Sequence, residues 1–343
     1  MSRIRLGVIG CGTMGRTHLS ALAALRDRAP VVAVADPDGD RARRAARDAG
    51  AELAVTDWRQ MLDAVDAVVV AVPHHLHHEI GLACLDAGKH VLMEKPLANT
   101  EAQCLDLICA ARRADRVLMV AYCMRFDPLV RKFKEVLHAG TYGDVFQVSI
   151  WTEQYTDLSR GAWMASAAQL GGGQLFAHGC HYIDLLLWFL GRPVRGTHVG
   201  TRHGTPWMEA EGTSNVAIEF AGGPLAYHFG TWGARGTRLG YSFHAHCTEG
   251  MLELDYSVGR LLAHTPAGED LLVEADVGKA AAAETAHFLD CIENGSPPLT
   301  DGPGSLQGLR VIWRLYDAER RGVVADLRGL GLDEPWEHSP SSR

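Results

Sequence analysis

The sequence predicts an α/β protein of two domains, the first of which is a doubly wound parallel sheet. Its 343 residues suffice for two domains of roughly 150 residues each. The first third of the chain alternates short apolar runs with helical patterns, as a parallel sheet with crossover helices requires. A glycine-rich turn follows the first apolar run, at the position where such sheets bind dinucleotides.

The composition argues against several classes of protein. Hydrophobic residues make up 47% of the chain and charged residues 22%, as in a globular protein with a buried core. The formal net charge of −8 disfavours a nucleic-acid partner, because phosphates favour basic surfaces. No apolar run reaches the roughly 18 residues of a membrane span, and no apolar signal core precedes the first strand, so we expect a cytoplasmic protein. The eight cysteines form no C-x-x-C pair and are expected to be reduced.

The first strand and the turn after it form a dinucleotide fingerprint. The apolar residues 4–9 lead into Gly10-Cys11-Gly12-Thr13-Met14-Gly15, and residues 16–25 have the pattern of a helix. In such a turn the first glycine permits the tight bend, the second lets a pyrophosphate approach, and the third packs helix on strand. The helix N-terminus, with Thr13 and Met14, would offer free N–H groups to the anion.

The second strand indicates which cofactor binds. Residues 31–35 are apolar and are followed by Asp36, about 20 residues beyond the last glycine of the turn. A carboxylate there accepts hydrogen bonds from the adenosine ribose hydroxyls and repels a 2′-phosphate. The sequence therefore favours NAD over NADP, although the nearby Arg41 could weaken that preference.

Two further strands bring Lys95 to the predicted cofactor cleft. Residues 66–72 are apolar after Asp66, as in a strand covered on both faces, and residues 79–87 have the pattern of a helix. Residues 90–93 form the next strand, which ends in Glu94-Lys95-Pro96. Ligands of open α/β sheets bind beyond the carboxyl ends of the strands, so Lys95 would emerge at the nicotinamide end and suit proton transfer there. A surface lysine at a strand end fits the position alone equally well.

Several motifs, in their order along the chain, resemble those of the Gfo/Idh/MocA family, whose members include glucose–fructose oxidoreductase and inositol dehydrogenase. The resemblance covers nearly the whole chain, and the combination is specific where no single piece would be. The motifs are Gly10 to Gly15, Pro73-His74-His75-Leu76-His77, Ala87-Gly88-Lys89-His90-Val91, Glu94-Lys95-Pro96-Leu97-Ala98, Tyr122-x-x-Arg125-Phe126-x-Pro128, Gly171-Gly172-Gly173 and Gly179-x-His181-x-x-Asp184.

The resemblance implies a Rossmann domain followed by an α/β domain on a large, mostly antiparallel open sheet. We place these domains at residues 1–122 and 123–334, with a tail at residues 335–343. Short, partly alternating apolar runs support the second domain from the sequence itself. They are residues 145–151, 216–220, 225–231 and 251–256.

The resemblance also implies an activity and a set of site residues. Family enzymes transfer a hydride between a pyridine nucleotide and a carbinol or ketone carbon, usually of a sugar, glycoside or cyclitol. On this chain Lys95 matches the catalytic lysine, His181 the active-site histidine and Asp36 the acid that binds NAD. Further expected cofactor contacts come from loops after the strands. They are Pro73, His74, His77, Glu94 and Arg125. For Arg125 a structural salt bridge is the preferred alternative.

The chain departs from the family pattern at the substrate site. Family dehydrogenases commonly carry an aspartate four residues before the active-site histidine, where this chain has Ala177. His178 lies three residues before His181, which is a same-face spacing on a helix, and we hypothesise that it binds a substrate hydroxyl instead. A packed helix histidine is an equal alternative. Tyr155 and Trp163 are candidates for stacking on a sugar, although sheet packing would also explain them.

A second departure is a segment dense in histidine. His74 stands where the family often has asparagine, and His75, His77 and His78 follow it closely. We expect no metal there, because no cysteine or carboxylate with the spacing of zinc ligands accompanies these residues.

Two other functions stay open. Some family members keep NAD bound and use a transient ketone to epimerise a sugar or cleave a glycoside, and the missing aspartate makes this redox-neutral chemistry relevant. A non-catalytic NAD-binding sensor is the other alternative, against which Lys95 and His181 argue, because a sensor has little need of them. Whatever the activity, we expect a homodimer or homotetramer, formed through an exposed sheet face as family members often show.

Overall fold

The computed structural model describes residues 3–157 and 162–332. They form two compact units, of which the first comprises residues 3–127, 166–171 and 278–302. The second comprises residues 128–157, 162–165, 172–277 and 303–332. The boundary predicted after residue 122 did not include the two later segments of the first unit, because a local pattern does not show where the chain returns. The predicted tail, residues 335–343, lies outside the described residues.

The two units contain the following elements. The strands are β1 (Leu6–Ile9), β2 (Val31–Ala35), β3 (Leu53–Val55), β4 (Ala67–Val70), β5 (His90–Met93), β6 (Leu118–Val120), β7 (Val145–Glu153), β8 (Pro193–Thr201), β9 (Thr213–Phe220), β10 (Leu225–Thr231), β11 (Tyr241–Cys247), β12 (Met251–Asp255), β13 (Arg260–Thr265), β14 (Gly268–Glu274) and β15 (Ala325–Asp326). The helices are α1 (Thr13–Ala23), α2 (Gly39–Ala49), α3 (His77–Asp86), α4 (Glu101–Ala114), α5 (Pro128–Ala139), α6 (Ala167–Leu170), α7 (Cys180–Leu190), α8 (Ala281–Asn294) and α9 (Gly302–Arg321).

The first unit is built on a six-stranded parallel sheet in the order β3-β2-β1-β4-β5-β6. The strand order reverses between β1 and β4, which is the switch point at which such sheets bind ligands. This topology confirms the predicted Rossmann fold. Several elements differ from their predicted bounds. α1 begins at Thr13, inside the glycine turn, and α3 begins at His77 and ends at Asp86. β1 and β4 are shorter than the apolar runs that suggested them.

One face of this sheet is covered by α1 and α8. Val8 and Val69 from the central strands pack with Leu22 of α1 and with Phe288 and Leu289 of α8 in one buried cluster. Burial of five such side chains contributes on the order of 1.5–3 kcal/mol each, before chain entropy is counted. The core thus fixes the carboxyl ends of β1, β4 and β5, from which the predicted site residues extend.

The second unit is built on a nine-stranded sheet in the order β14-β13-β12-β11-β7-β10-β9-β8-β15. Among the described strands of this second sheet, only the β7–β10 pair runs parallel, so the prediction of a mostly antiparallel sheet is confirmed. α5 packs on β12 and β13, and α7 packs on β10. The opposite face carries half-buried aromatic side chains, among which Trp151 contacts Phe229 with ring centroids 5.4 Å apart.

Candidate active site

The glycine turn after β1 combines tight packing with open space. A Cβ added to Gly10 would lie 2.2 Å from the Ala71 carbonyl oxygen, and one added to Gly15 would lie 1.9 Å from that of Gly10. A Cβ on Gly12 would meet nothing within 4 Å. No side chain caps α1 at Gly12, so the first N–H groups of the helix are available to an anion. Gly10 and Gly15 therefore shape the turn, and Gly12 leaves room for a ligand.

Asp36 is tied to the same turn. Its side chain is 4% exposed and follows β2. Oδ2 accepts a hydrogen bond from the Cys11 backbone N–H at 2.8 Å, and Oδ1 accepts one from the Asp38 N–H at 2.9 Å. Arg41 Nη1 lies 3.1 Å from Oδ1 and forms an ion pair with the carboxylate. Arg41, which we expected to weaken the preference for NAD, is therefore the ion-pair partner of Asp36.

The loop after β4 holds two buried histidines. His77 is fully buried, with Nδ1 2.8 Å from the Pro96 carbonyl oxygen and Nε2 3.0 Å from that of Val72. Burial lowers the pKa of the His77 ring, so it is neutral and has one N–H to donate. The His77 ring thus joins the loops after β4 and β5, and its contact with the cofactor stays a prediction. Pro73, which precedes this loop's 3-10 turn, is partly exposed.

His74 is held in a similar way. Its Nδ1 lies 2.9 Å from the Leu170 carbonyl oxygen, and its ring centroid is 5.5 Å from that of His77. Burial lowers the pKa of His74 well below its usual value, which makes the ring neutral. The neighbouring His78 hydrogen-bonds to Asp106 on α4. Hydrogen bonds and packing thus account for His74, His77 and His78, whereas His75 is exposed.

Lys95 and Glu94 follow β5 directly. Glu94 is buried; Oε1 lies 2.8 Å from His18 Nε2 of α1, and Oε2 accepts the Lys95 backbone N–H at 3.2 Å. Burial alone would raise the pKa of Glu94, but the His18 hydrogen bond and the charges of His18, Lys95 and Lys279 lower it. Lys95 is half-buried, and the Lys95–Pro96 peptide bond is cis. A buried, bonded carboxylate thus fixes the backbone from which the lysine extends.

Arg125 lies in the 3-10 turn after β6. It is 4% exposed, and its Nη1 donates to the Leu299 carbonyl oxygen at 3.2 Å. Both residues belong to the first unit. This bond joins the crossover segment to the chain that returns through α8, a structural role that sequence reasoning did not exclude.

In the second unit, His178 and His181 lie on one helical segment with a change of helix type. Leu175–Gly179 is a π-helical turn, and α7 begins at Cys180. The α-helical spacing assumed for the two histidines is therefore corrected, because a π turn contains one extra residue. The rings nevertheless meet, with centroids 6.3 Å apart and planes nearly perpendicular. Ala177, which replaces the family aspartate, is buried.

His178 belongs to a polar cluster that the sequence did not reveal. Its Nε2 lies 3.4 Å from the Tyr241 hydroxyl, which donates to Gln154 Oε1 at 2.6 Å. Its Nδ1 lies 3.4 Å from Gln174 Nε2. Burial raises the pKa of Tyr241 to about 12, so the phenol keeps its proton. Tyr241 and Gln154 stand on β11 and just after β7, and no spacing in the sequence links them to His178.

His181 is 9% exposed and contacts Tyr182, which stacks on His228 with ring centroids 5.1 Å apart. Burial lowers the pKa of His228 to about 3.

The two candidates for stacking on a sugar differ in their surroundings. Tyr155 is half exposed and packs edge-on against Trp207. Trp163 lies in a short 3-10 turn and is partly exposed.

Within residues 3–157 and 162–332, no group of three or more potential metal ligands comes together. In the same residues, no helix combines the length and the apolar character that crossing a membrane requires. All eight cysteines are free thiols, and six of them are buried.

The comparisons with known proteins bear directly on this fold and site. Residues 4–122 match the model of an oxidoreductase family with an NAD-binding Rossmann fold, and residues 130–253 match the GFO/IDH/MocA C-terminal domain. The chain belongs to the Gfo/Idh/MocA family. NAD is accordingly its cofactor, and the open space over Gly12 and the uncapped start of α1 fit a dinucleotide.

Individual family members are similar to this chain. Inositol 2-dehydrogenase 2 of Saccharopolyspora erythraea is 35% identical over 227 residues, which cover 65% of this chain and 65% of that protein. The chain thus matches slightly less than two thirds of that relative. Levoglucosan dehydrogenase of Pseudarthrobacter phenanthrenivorans is 29% identical over 293 residues, which cover 75% of this chain and 74% of that enzyme.

Solved structures share the Gfo/Idh/MocA fold. Levoglucosan dehydrogenase in complex with NADH and levoglucosan superposes with a TM-score of 0.86 at 23% identity, covering 95% of this chain and 100% of that one. The aldose–aldose oxidoreductase of Caulobacter crescentus, complexed with glycerol, gives a TM-score of 0.86 at 24% identity with the same coverage. At this identity the likeness establishes the fold.

Proposed function

We propose that this protein is an NAD-dependent dehydrogenase that transfers a hydride between the nicotinamide and a carbinol or ketone carbon of a sugar, glycoside or cyclitol. The position of Lys95 supports this most. It follows β5 at the carboxyl edge of the sheet, is half-buried, and extends from a backbone held through Glu94 by His18. A lysine with only a structural role would not need a backbone fixed by a buried carboxylate.

The residues divide the chemistry between them. When bound, NAD supplies the hydride acceptor. Lys95 takes the proton of the reacting hydroxyl as the carbinol is oxidised, and His181 orients that hydroxyl. Reduction of a ketone follows the same path in reverse, with Lys95 returning the proton. Gly12, Thr13 and Met14 bind the pyrophosphate at the start of α1, and Asp36 binds the adenosine ribose.

The cluster around His178 suits a substrate with many hydroxyl groups. A sugar hydroxyl both donates and accepts hydrogen bonds, and the Tyr241 hydroxyl, the Gln154 amide and the His178 ring offer both functions. His178 binds a substrate hydroxyl where Ala177 offers no carboxylate. Tyr155 and Trp163 supply aromatic surface for the C–H faces of the ring.

The test of the substrate role is His178→Ala, assayed with NAD across inositols, anhydrosugars and aldoses. We expect the KM for the substrate to rise about 10-fold, as for loss of one hydrogen bond to a buried polar group, while the affinity for NAD stays unchanged. His203→Ala is the matched control, because His203 is exposed in a loop. Unchanged kinetics of His178→Ala with a true substrate would refute this role.

The buried Ala177 favours one second candidate, a redox-neutral enzyme that keeps NAD bound and acts on a glycoside or sugar epimer through a transient ketone. Such an enzyme would convert its substrate without net formation of NADH and would release NAD slowly. Measuring product and NADH in the same reaction separates the two candidates.

We also propose that the protein forms a homodimer or homotetramer through the open face of the nine-stranded sheet. Val199 is 65% exposed and Leu225 is 53% exposed on this face, beside the Trp151–Phe229 pair. Exposed apolar surface of this kind is typical of an interface between subunits. Light scattering measures the molar mass of the wild type and of Leu225→Arg. We expect an oligomeric wild type and a variant of smaller mass, and a monomeric wild type would contradict the proposal.

A further inference from the structure

The helical segment that carries His178 and His181 begins in an unusual way. The first four N–H groups of any helix lack partners within the helix and need hydrogen bonds from elsewhere. Here those groups belong to residues 173–176, which begin with the last glycine of the triplet, and no side chain caps the π turn at Gln174. Two residues distant in sequence, Glu211 and Tyr316, fill this role.

The Tyr316 hydroxyl, from α9, serves two of the four groups. It accepts the Gly173 N–H at 3.3 Å and the Phe176 N–H at 3.2 Å. It also donates its own proton to Glu211 Oε1, so both its donor and its acceptor capacity are used. Burial raises the pKa of Tyr316 well above its usual value, which keeps that proton on the phenol.

Glu211 serves the other two groups. Its backbone carbonyl accepts the Gln174 N–H at 2.7 Å, and its Oε1 accepts the Leu175 N–H at 3.3 Å. A carboxylate at a helix N-terminus is also favoured by the helix dipole. Together, Glu211 and Tyr316 satisfy every N–H of the first turn, and we call them the Glu211–Tyr316 bracket.

The glycine triplet lets the bracket approach this closely. A Cβ on Gly173 would lie 2.1 Å from Glu211 Oε2, and a Cβ on Gly172 would lie 3.2 Å from Tyr316 Cε2. Neither position has room for a side chain while the hydrogen bonds persist. The bracket therefore explains the glycine at position 173, whereas at Gly172 a Cβ would also lie 2.7 Å from Phe176 Cβ.

We propose that Glu211 and Tyr316 are positioning residues for the substrate histidines, because they fix the residue at which the π turn begins. A one-residue slip at this start would rotate the segment by about 100° about its axis and turn His178 away from Tyr241, which lies on β11. This inference rests on the proposed function in one respect, which is that His178 and His181 bind the substrate. The arrangement itself is independent of the reaction.

The test is Tyr316→Phe, which keeps the ring and removes the hydroxyl. We expect kcat/KM of the folded variant to fall about 10-fold to 100-fold, as misplacement of a binding group does, with the affinity for NAD unchanged. We also expect the ring ¹⁵N resonances of His178 and His181 to shift in histidine-labelled protein, while those of His18 and His77 stay in place. Tyr227→Phe is the matched control. The Tyr227 hydroxyl donates to Asn215, and both residues lie on the face of the nine-stranded sheet that is opposite to α7.

Two glutamate variants keep the inference testable if Tyr316→Phe does not fold. Glu211→Gln retains an oxygen that can accept the Leu175 N–H and should remain near wild type, whereas Glu211→Leu should shift both ring resonances. A lower Tm with unchanged histidine resonances and unchanged kinetics would overturn the proposal and leave the bracket a stability element. If no sugar is turned over even by the wild type, the proposed function fails, while the ring resonances still decide the role of the bracket.

Discussion

His18 Nε2 on α1 lies 2.8 Å from Glu94 Oε1 at the end of β5, and both side chains are buried. The bond connects the helix that begins in the dinucleotide turn with the segment after β5 that carries Lys95. Two parts of the cofactor-binding unit are thereby held in a fixed relation. The fixed backbone at Lys95 depends on this carboxylate, since Glu94 also accepts the Lys95 N–H.

Removing one partner of this pair should destabilise the protein strongly. His18→Leu leaves Glu94 buried without its ring partner, so we expect the free energy of unfolding to fall by about 3–5 kcal/mol. Urea denaturation measures the change. The double variant His18→Leu/Glu94→Leu should recover part of the loss, because no buried carboxylate remains; equal losses in the single and double variants would contradict this account.

Substitutions at two glycines of the turn should affect cofactor binding and stability separately. Gly12→Ala adds a methyl group in open space, so we expect an unchanged Tm and a Kd for NAD raised about 10-fold, because the pyrophosphate can no longer approach the backbone. Gly15→Ala places its methyl group against the Gly10 carbonyl and should cost about 3 kcal/mol of stability. Gly236→Ala, also in open space, is the control for both titrations. Equal NAD affinity of Gly12→Ala and wild type would exclude a pyrophosphate at this turn.

Cofactor preference should depend on the Asp36–Arg41 pair. Asp36→Ser removes the carboxylate that binds Arg41 Nη1, while Arg41 Nη2 stays 3.4 Å from Asp38 Oδ2. The guanidinium can then pair with a 2′-phosphate through Nη1. We expect the Kd for NAD to rise about 10-fold and the Kd for NADP to fall, as measured by calorimetry. Asp40→Ser, which removes an exposed acid of α2 paired with Arg43, should change neither constant. An unaltered NAD-to-NADP ratio in Asp36→Ser would contradict the assignment.

His228 should make the protein sensitive to acid. Its pKa is lowered to about 3 by burial, so the unfolded chain binds a proton that the folded chain does not between about pH 6.5 and pH 3. The stability due to the neutral ring is therefore complete above about pH 6.5 and is lost as the pH falls, by up to about 1.4 kcal/mol per pH unit. His228→Phe keeps the stacking on Tyr182 and should flatten this dependence in urea titrations from pH 7 to pH 4. A slope identical to that of the wild type would show that other groups cause the acid sensitivity.

The first unit could be predicted from the sequence because its signals are local. The glycine spacing, the acid after β2 and the position of Lys95 after β5 each depend on residues close together in the chain. β2 and β5 have the predicted bounds. α1 begins earlier than predicted because Gly12 and not Gly15 precedes its first turn.

The second unit could be predicted only in part, because its site depends on contacts over long sequence distances. Tyr241 reaches His178 only through the register of β11 against β7. The π turn gave no sequence signal either, since its origin lies in the hydrogen bonds of Glu211 and Tyr316. His77, likewise, matched a cofactor position in sequence but is buried between two carbonyl groups.

The most direct test of the central claim is an assay of NAD reduction by the wild type and by Lys95→Ala across inositols, glycosides and aldoses. Lys132→Ala is the control, because Lys132 is paired with Glu135 on the surface of α5. We predict turnover by the wild type and the control, and a loss of kcat of about 10²–10⁴-fold in Lys95→Ala with NAD still bound. Turnover by Lys95→Ala at the rate of the wild type would contradict the assignment of Lys95 as the catalytic residue.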